Sequence, residues 1–283
     1  NTKAFFAETI GNPKVSILDI EGVSKVAHKN GVPLIVDNTV ATPYLVQPLK
    51  HGADIVVHSA TKFLAGHGTV VAGAIVDGGK FEWSKSDKFP GLTEPDPSYH
   101  GVNYTAALGD AIAYIIKARV QLLRDIGAAV APNNAWQLIQ GIETLSLRIE
   151  RHVENAQKVA EWLSKHPQVE SVNYAGLKSS TWFKAAKKYA PKGAGAIVSF
   201  EIKGGVTAGS KFVESLELFS HVANIGDVRS LVIHPASTTH SQLTPEQQLT
   251  TGVTPGLVRL SVGLESIDDL VADLKAGFEA VKK

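Results

Sequence analysis

Two short apolar segments, each ending in polar residues, constrain what this 283-residue chain can fold into. The segments GVPLIVDNT (31–39) and GADIVVHSA (52–60) are rich in Ile and Val and are bounded by glycine and polar residues. Continuous apolar runs of this length are typical of strands that are buried on both faces of a parallel sheet. Ahead of the first run, residues 19–30 carry apolar side chains at helical spacing. This alternation of helix and strand predicts an α/β layered fold.

The remaining pattern predicts two groups of elements. In the first group we expect a strand at 70–79, a long surface loop at 80–104, a helix at 105–126 and one long helix at 133–165. In the second group we expect strands at 169–174, 195–202 and 257–265, with helices between them and a final amphipathic helix after Ser266. We therefore expect two domains, residues 1–148 and 149–283, with the boundary inside the long helix.

Composition excludes several classes of function. The net charge of +1, from 28 basic and 27 acidic residues, provides no basic surface for nucleic acid and no polybasic patch for a membrane. No stretch approaches the roughly 20 consecutive apolar residues of a membrane span. The opening segment NTKAFFAETIGNPK lacks the apolar core of a secretory signal. We expect a cytoplasmic protein that acts on small molecules and binds neither nucleic acid nor membrane.

The absence of cysteine, the spacing of the histidines and the form of one glycine-rich motif exclude further kinds of site. The chain has no cysteine, so disulfides, thiolate nucleophiles and cysteine-ligated metals are excluded. The histidines, including His58, His67, His234 and His240, fit no standard spacing of metal ligands, and we expect no metal. GHGT lacks the G-x-G-x-x-G pattern of dinucleotide-binding loops, which argues against an NAD-dependent oxidoreductase. Methionine is also absent, even at position 1, from which we expect a processed, truncated or engineered piece of a longer protein.

Polar residues at the ends of the two apolar runs are the candidate functional residues. Ligands of open α/β sheets bind at the carboxyl ends of the strands. Asp37 ends the first predicted strand, and Ser59, Thr61 and Lys62 follow the second. An acid and a lysine here are compatible with a simple salt bridge, and the hydroxyls with ordinary strand-end caps. The same set also matches the needs of pyridoxal phosphate: an amine for the aldehyde, a carboxylate for the ring nitrogen and hydroxyls for the phosphate.

A longer segment carries a family resemblance. Residues 36–69, VDNTVATPYLVQPLKHGADIVVHSATKFLAGHGT, closely resemble the signature of the Cys/Met-metabolism pyridoxal-phosphate enzymes, the gamma-family. The resemblance continues through 143–163, 221–240 and 257–265 and covers nearly the whole chain. It implies an α/β fold with a PLP-dependent, aspartate-aminotransferase-like (fold type I) large domain, truncated at its N-terminus, and a smaller α/β C-terminal domain. It also implies a homotetramer built of two dimers.

The resemblance implies which residues bind the cofactor, pyridoxal 5'-phosphate. Lys62 would bind it covalently and later carry protons. Asp37 would pair with the pyridinium nitrogen, and Ser59 and Thr61 would bind the phosphate. Asn12, in ETIGNP, would lie near the ring hydroxyl.

The resemblance implies a second set of residues for the substrate. Asn12 would also lie near the substrate carboxylate, and Arg259 would bind that carboxylate through its two-pronged guanidinium. Asn224 lies where other branches of the family place a serine that positions the substrate and the lysine. Without the resemblance, Arg259 on a strand would be interpreted as one half of an ordinary ion pair.

The segments ETIGNP, NIGDVRSLVIHPASTTH and LTPEQQLTTGVTPGLVRLSVG are most similar to family members that make homocysteine. The implied reaction, a step of methionine biosynthesis, is a γ-replacement on O-acetylhomoserine with sulfide, which releases acetate. Cystathionine γ-synthase and γ-lyase activities are alternatives, in which cysteine or water takes the place of sulfide. Family members also carry an N-terminal portion with a glycine-containing phosphate loop and an aromatic ring, which we do not find here. A catalytically incomplete fragment, acting only as an assembly partner, is therefore a further alternative.

Overall fold

The chain forms two β-sheets with helices between and around them, as seen in a computed structural model that describes residues 1–282. The strands are β1 (Phe5–Glu8), β2 (Leu34–Asp37), β3 (Ile55–Ser59), β4 (Gly73–Asp77), β5 (Val169–Asn173), β6 (Ile197–Ile202), β7 (Ser220–His221), β8 (Leu231–Ile233) and β9 (Leu257–Ser261). The α-helices are α1 (Ile20–Lys29), α2 (Thr42–Leu45), α3 (Pro90–Thr93), α4 (Tyr104–Leu108), α5 (Asp110–Lys117), α6 (Arg124–Ile126), α7 (Pro132–Glu143), α8 (Leu145–Leu163), α9 (Phe183–Tyr189), α10 (Gly205–Glu214), α11 (Pro245–Thr251) and α12 (Ile267–Lys282). Short 3-10 helices lie at Pro48–His51, Trp83–Lys85 and Pro235–Ser237, and a π-helical segment lies at Ala118–Leu123.

The first sheet has the order β1-β2-β3-β4, with the first three strands parallel and β4 antiparallel to β3. The two apolar runs are confirmed as neighbouring parallel strands, β2 and β3. Helix α1 precedes β2 as expected, and the carboxylate of Asp19 accepts a hydrogen bond from the Gly22 N–H at its start. Because these strands run in one direction, the carboxyl ends of β1, β2 and β3 share one edge of the sheet. The strand β1 has only four residues, FFAE, and the sequence pattern did not reveal it.

The second sheet has the order β5-β6-β9-β8-β7 and is antiparallel except for the β7–β8 pair. The three expected strands are confirmed as β5, β6 and β9. Phe200 on β6, Phe212 on α10 and Phe278 on α12 are completely buried, with ring centroids 4.7 to 6.0 Å apart. Burial of each such ring stabilises the fold by about 1.5–3 kcal/mol. The strand β9 lies at the centre of this sheet, which fixes the position of Arg259.

The prediction of one long helix at 133–165 is wrong, because the helix is interrupted at Thr144, between α7 and α8. Thr144 has φ −104° and ψ 7°, which is not helical. Three residues before the break, Gly141 lies against the turn after β3, where a Cβ on Gly141 would lie 2.5 Å from the Ala65 carbonyl oxygen. The domain boundary near residue 148 then falls in the first turn of α8 and stays a prediction.

Two other expectations need correction. The helix expected at 105–126 is interrupted at Gly109, whose φ of 74° ends α4 and begins α5. Residues 80–104 are not a surface loop throughout, because Trp83 is only 4% exposed. Its ring stacks on Tyr114 at 5.4 Å and meets Phe89 edge to face at 5.0 Å. Aromatic packing therefore folds a segment whose Pro and Gly content suggested a loop.

The helices of residues 1–282 include none with both the length and the apolar character that a membrane crossing requires. The same residues hold no group of three or more His, Cys, Asp or Glu arranged to bind a metal ion.

His152 on α8 makes the stability of the fold depend on pH. Its side chain is fully buried, its Nδ1–H donates to the Val262 carbonyl oxygen at 2.7 Å, and its Nε2 is buried with no partner among residues 1–282. Burial lowers its pKa from 6.5 to about 4. The folded chain thus holds neutral His152, whereas the unfolded chain takes up a proton below pH 6.5. This group costs no stability above that pH, and we expect ~3 kcal/mol of the unfolding free energy to be lost as the pH falls toward 4.

Urea unfolding of the His152→Asn variant between pH 7 and pH 4.5 tests this expectation. Asparagine can keep the hydrogen bond to Val262 without titrating, so the variant should lose stability less steeply with falling pH. The exposed His100 provides a matched control, and its His100→Asn variant should keep the wild-type slope. Equal slopes for wild type and His152→Asn would contradict the assignment.

Candidate active site

Asp37 lies at the carboxyl edge of the first sheet, as the sequence predicted. In register, Asp37 pairs with Glu8 on β1 and with Val57 on β3. The backbone N–H of Thr39 donates to Asp37 Oδ1 at 2.8 Å. Asp37 forms no ion pair with residues 1–282, so the simple salt bridge with Lys62 is not present. Its carboxylate therefore has capacity for a further cationic or N–H partner.

Lys62 lies in the turn that leaves β3 at the same edge. Its backbone N–H donates to the Ser59 carbonyl oxygen at 3.2 Å, and its carbonyl accepts from the Gly66 N–H at 2.8 Å. The Nζ of Lys62 donates to Oδ1 of Asn224, which comes from the loop before β8. Burial, and then the positive charge of Arg259, lower the pKa of Lys62. These effects enlarge the neutral fraction of the amine, which is the form that acts as nucleophile or base.

The two hydroxyl residues occupy different settings. Ser59 is half-buried at the end of β3, where its backbone N–H donates to Thr39 Oγ1 at 2.8 Å. The hydroxyl of Thr61 accepts from the Ala72 N–H at 3.0 Å and donates to the Ala72 carbonyl oxygen at 3.2 Å. Thr61 thus ties the turn to the segment before β4, as an ordinary strand-end residue does. A phosphate on Thr61 would have to share or replace one of these hydrogen bonds.

Arg259, on strand β9 of the second sheet, contributes to the same site. Its Nη2 donates to the Asn224 carbonyl oxygen at 3.1 Å and its Nη1 to Asn12 Oδ1 at 3.3 Å, while its Nε is buried with no partner among residues 1–282. Burial lowers its pKa to about 10. The described residues place no carboxylate in an ion pair with it, so the ion-pair interpretation of Arg259 is wrong. A guanidinium held by amide oxygens alone is suited to an external carboxylate.

Hydrogen bonds thus join four of the predicted site residues, Lys62, Asn224, Arg259 and Asn12. Sequence reasoning missed one neighbour, Glu8, which is paired in register with Asp37. Partial desolvation and the Asp37 carboxylate raise the pKa of Glu8. The ETIGNP motif that supplied Asn12 begins with Glu8, and membership of that motif was the only sequence signal, because strand β1 was not predicted.

Comparison with known proteins identifies the family. The model of the Cys/Met metabolism PLP-dependent enzymes matches residues 1–279. The chain belongs to this family. Among curated members, the O-acetyl-L-homoserine sulfhydrylase of Leptospira meyeri is 61% identical over 99% of the chain, and the homocysteine synthase of Schizosaccharomyces pombe is 52% identical over 99%. The chain spans 64% and 65% of the lengths of these two family members.

Solved structures of the family share the fold. A Campylobacter jejuni protein described as an O-acetylhomoserine (thiol)-lyase superposes with a TM-score of 0.93 at 45% identity, covering 99% of this chain and 66% of the other. That protein carries a pyridoxyl-lysine monophosphate. The cystathionine γ-lyase of Lactobacillus plantarum, complexed with L-serine, superposes with a TM-score of 0.80 at 35% identity, covering 99% and 65%. The expected α/β architecture of PLP-dependent fold type I is thereby confirmed.

Proposed function

We propose that the protein forms homocysteine by a γ-replacement on O-acetylhomoserine with sulfide, which releases acetate. The Leptospira meyeri relative, at 61% identity, is named O-acetyl-L-homoserine sulfhydrylase, and the Schizosaccharomyces pombe relative, at 52%, is named homocysteine synthase, which supports this reaction over the alternatives. The observation that carries the proposal is the hydrogen-bonded set of Lys62, Asn224, Arg259 and Asn12, with Asp37 at the same carboxyl edge of the first sheet as Lys62.

The chemistry of these residues fits pyridoxal 5'-phosphate. Lys62 offers an amine with a lowered pKa for the aldehyde, and Asp37 offers a carboxylate that no ion pair occupies among residues 1–282. Ser59 and Thr61 follow as hydroxyls for the phosphate, and Asn12 offers an amide for the ring hydroxyl. When bound, the cofactor draws electrons from the substrate and makes its C–H bonds more acidic.

Arg259 would bind and orient the amino-acid substrate. A two-pronged guanidinium forms parallel hydrogen bonds with a carboxylate, and desolvation makes these bonds stronger than in water. Asn12 and Asn224 already hold the guanidinium by two of its nitrogens. Binding of the carboxylate would also offset the cost of burying an unpaired cation.

Lys62 would move the protons of the reaction at its Nζ. A γ-replacement needs proton removal at both Cα and Cβ before the acetate leaves Cγ. The flexible stem of a lysine lets one amine reach both carbons, and its lowered pKa enlarges the neutral fraction of the amine that can accept a proton. Asn224 Oδ1 accepts a hydrogen bond from Nζ and so limits where the amine lies.

The sulfur acceptor separates the proposal from its rivals. With added pyridoxal phosphate and O-acetylhomoserine, we expect kcat/KM with sulfide to exceed that with cysteine by about tenfold or more. A preference for cysteine would favour cystathionine γ-synthase activity. Breakdown of O-acetylhomoserine when neither sulfide nor cysteine is added would favour a γ-lyase. The Lys62→Ala variant is the blank in each assay.

A separate comparison tests the alternative of a catalytically incomplete fragment. The same assay is run on the chain alone and on the chain joined to the portion of the Leptospira meyeri protein that it does not cover, about a third of that protein. Activity in the chain alone rejects the alternative, whereas activity only in the joined protein supports it. We also propose a cytoplasmic homotetramer, on the family resemblance, and sedimentation velocity of the joined protein measures that assembly.

A further inference from the structure

Arg148, in the first turn of α8, is a buried cation that the proposed chemistry does not use. Its side chain is only 6% exposed. Its Nη1 donates to the Phe63 carbonyl oxygen at 2.9 Å, and its Nη2 donates to those of Leu64 at 3.1 Å and Gly141 at 2.7 Å. Within residues 1–282 it forms no ion pair. Burial of a cation without a negative partner destabilises a fold, so the groups that bind the Arg148 guanidinium indicate its role.

Two of those partners, Phe63 and Leu64, directly follow Lys62 in the sequence. The contact is close, because a Cβ on Gly66, whose φ is +80°, would lie 2.3 Å from Arg148 Nη1. Gly141 is just as tightly placed, since its Cβ would lie 2.6 Å from the Leu64 carbonyl oxygen. The glycines therefore let a guanidinium and a helix end approach the backbone of the lysine turn.

The same face of α8 also holds the strand that carries Arg259. One turn after Arg148, His152 donates to the Val262 carbonyl oxygen at 2.7 Å, directly after the end of β9. Further along, Asn155 Nδ2 donates to the Gly263 carbonyl oxygen at 3.0 Å. The helix is thus hydrogen-bonded on one face both to the turn of Lys62 and to the chain just beyond Arg259.

We propose that Arg148 is a positioning residue whose guanidinium holds the backbone of the Lys62 turn in place relative to Arg259. This inference rests on the proposed function, because it assumes that Lys62 is the working amine. Arg148 acts through the Phe63 and Leu64 carbonyls and does not itself contact substrate or cofactor. Its loss should loosen the turn and let Lys62 Nζ move toward water and away from Arg259.

The test measures the amine without any cofactor. Wild type, Arg148→Met and Arg148→Lys are labelled with acetic anhydride over a pH series, and the Lys62 peptide is quantified by mass spectrometry. We expect the apparent pKa of Lys62 to rise by about half a unit or more in Arg148→Met, toward its ordinary value, with a smaller rise in Arg148→Lys. Amide hydrogen exchange at Ala65 and Gly66 should be about tenfold faster in Arg148→Lys, while α12 keeps its wild-type protection.

Arg151→Met is the matched control, because Arg151 lies on the same helix with its side chain 55% exposed. This variant should leave both readouts at their wild-type values. Arg148→Met removes a core cation and is capable of unfolding the chain, so Arg148→Lys, which keeps the charge and much of the volume, decides the question. Wild-type labelling and exchange in Arg148→Lys would overturn the proposal. Failure of wild type to form homocysteine would overturn the proposed function and leave these cofactor-free readouts unaffected.

Discussion

Replacement of Lys62 by alanine is expected to lower homocysteine formation by more than about 10³-fold. One amine would bind the cofactor and move the protons at Cα and Cβ, and each acid–base role alone is worth about 10²–10⁴-fold. The fold should survive, because Lys62 makes its only side-chain hydrogen bond within residues 1–282 with Asn224. The measurement is the rate of homocysteine release at saturating O-acetylhomoserine and sulfide.

The Lys62→Arg variant tests whether a positive charge at this position is sufficient for activity. Arginine keeps a positive charge near Asn224 but stays protonated at neutral pH, so it cannot serve as a base. We expect it to be as inactive as Lys62→Ala. Lys80→Ala, at an exposed lysine, is the control and should retain wild-type rates. Residual activity within about tenfold of wild type in Lys62→Ala would reject the role of Lys62.

Arg259→Met is expected to raise the KM for O-acetylhomoserine by about 100-fold, with a smaller change in kcat. Loss of a desolvated guanidinium–carboxylate pair costs about 2–5 kcal/mol, and each 1.4 kcal/mol is tenfold in affinity. The variant should not be less stable, because removal of a buried cation without a carboxylate partner in residues 1–282 offsets the loss of its hydrogen bonds to Asn12 and Asn224. Steady-state kinetics and thermal unfolding measure the two effects.

Two variants check the interpretation of Arg259. Arg259→Lys keeps the charge but loses the fork, so its KM should fall between those of wild type and Arg259→Met. Arg229→Met removes an arginine that is 71% exposed, and it should change neither KM nor stability. An unchanged KM in Arg259→Met would show that the substrate carboxylate binds elsewhere.

The sequence allowed the lysine edge of the site to be predicted because that edge is local. Asp37 and Lys62 follow two apolar runs, and buried parallel strands bring their carboxyl ends together regardless of later folding. The proposed role of Arg259 had no such local signal. Its approach to Asn12 joins residues 247 positions apart, so only the resemblance to known enzymes placed it in the site.

Tertiary contacts explain the expectations that proved wrong. The helical pattern at 133–165 continues across Thr144, yet the chain breaks there because Gly141 and Arg148 both contact the Lys62 turn. The segment 80–104 contains the turn-forming residues of a loop, but burial of Trp83 folds part of it into short helices. The proposed role of Arg148 was hidden for the same reason, since the Phe63 and Leu64 carbonyls that it contacts are 85 and 84 positions away in sequence.

The most direct test of the account is covalent capture of the cofactor. Purified protein is incubated with pyridoxal phosphate, its visible absorption is recorded, and the mixture is reduced with borohydride before peptide mapping by mass spectrometry. We expect a yellow protein with the reduced cofactor on Lys62 and none on Lys62→Ala. Reduced cofactor on another lysine, or an unmodified Lys62 even when the chain is joined to the rest of a relative, would contradict it.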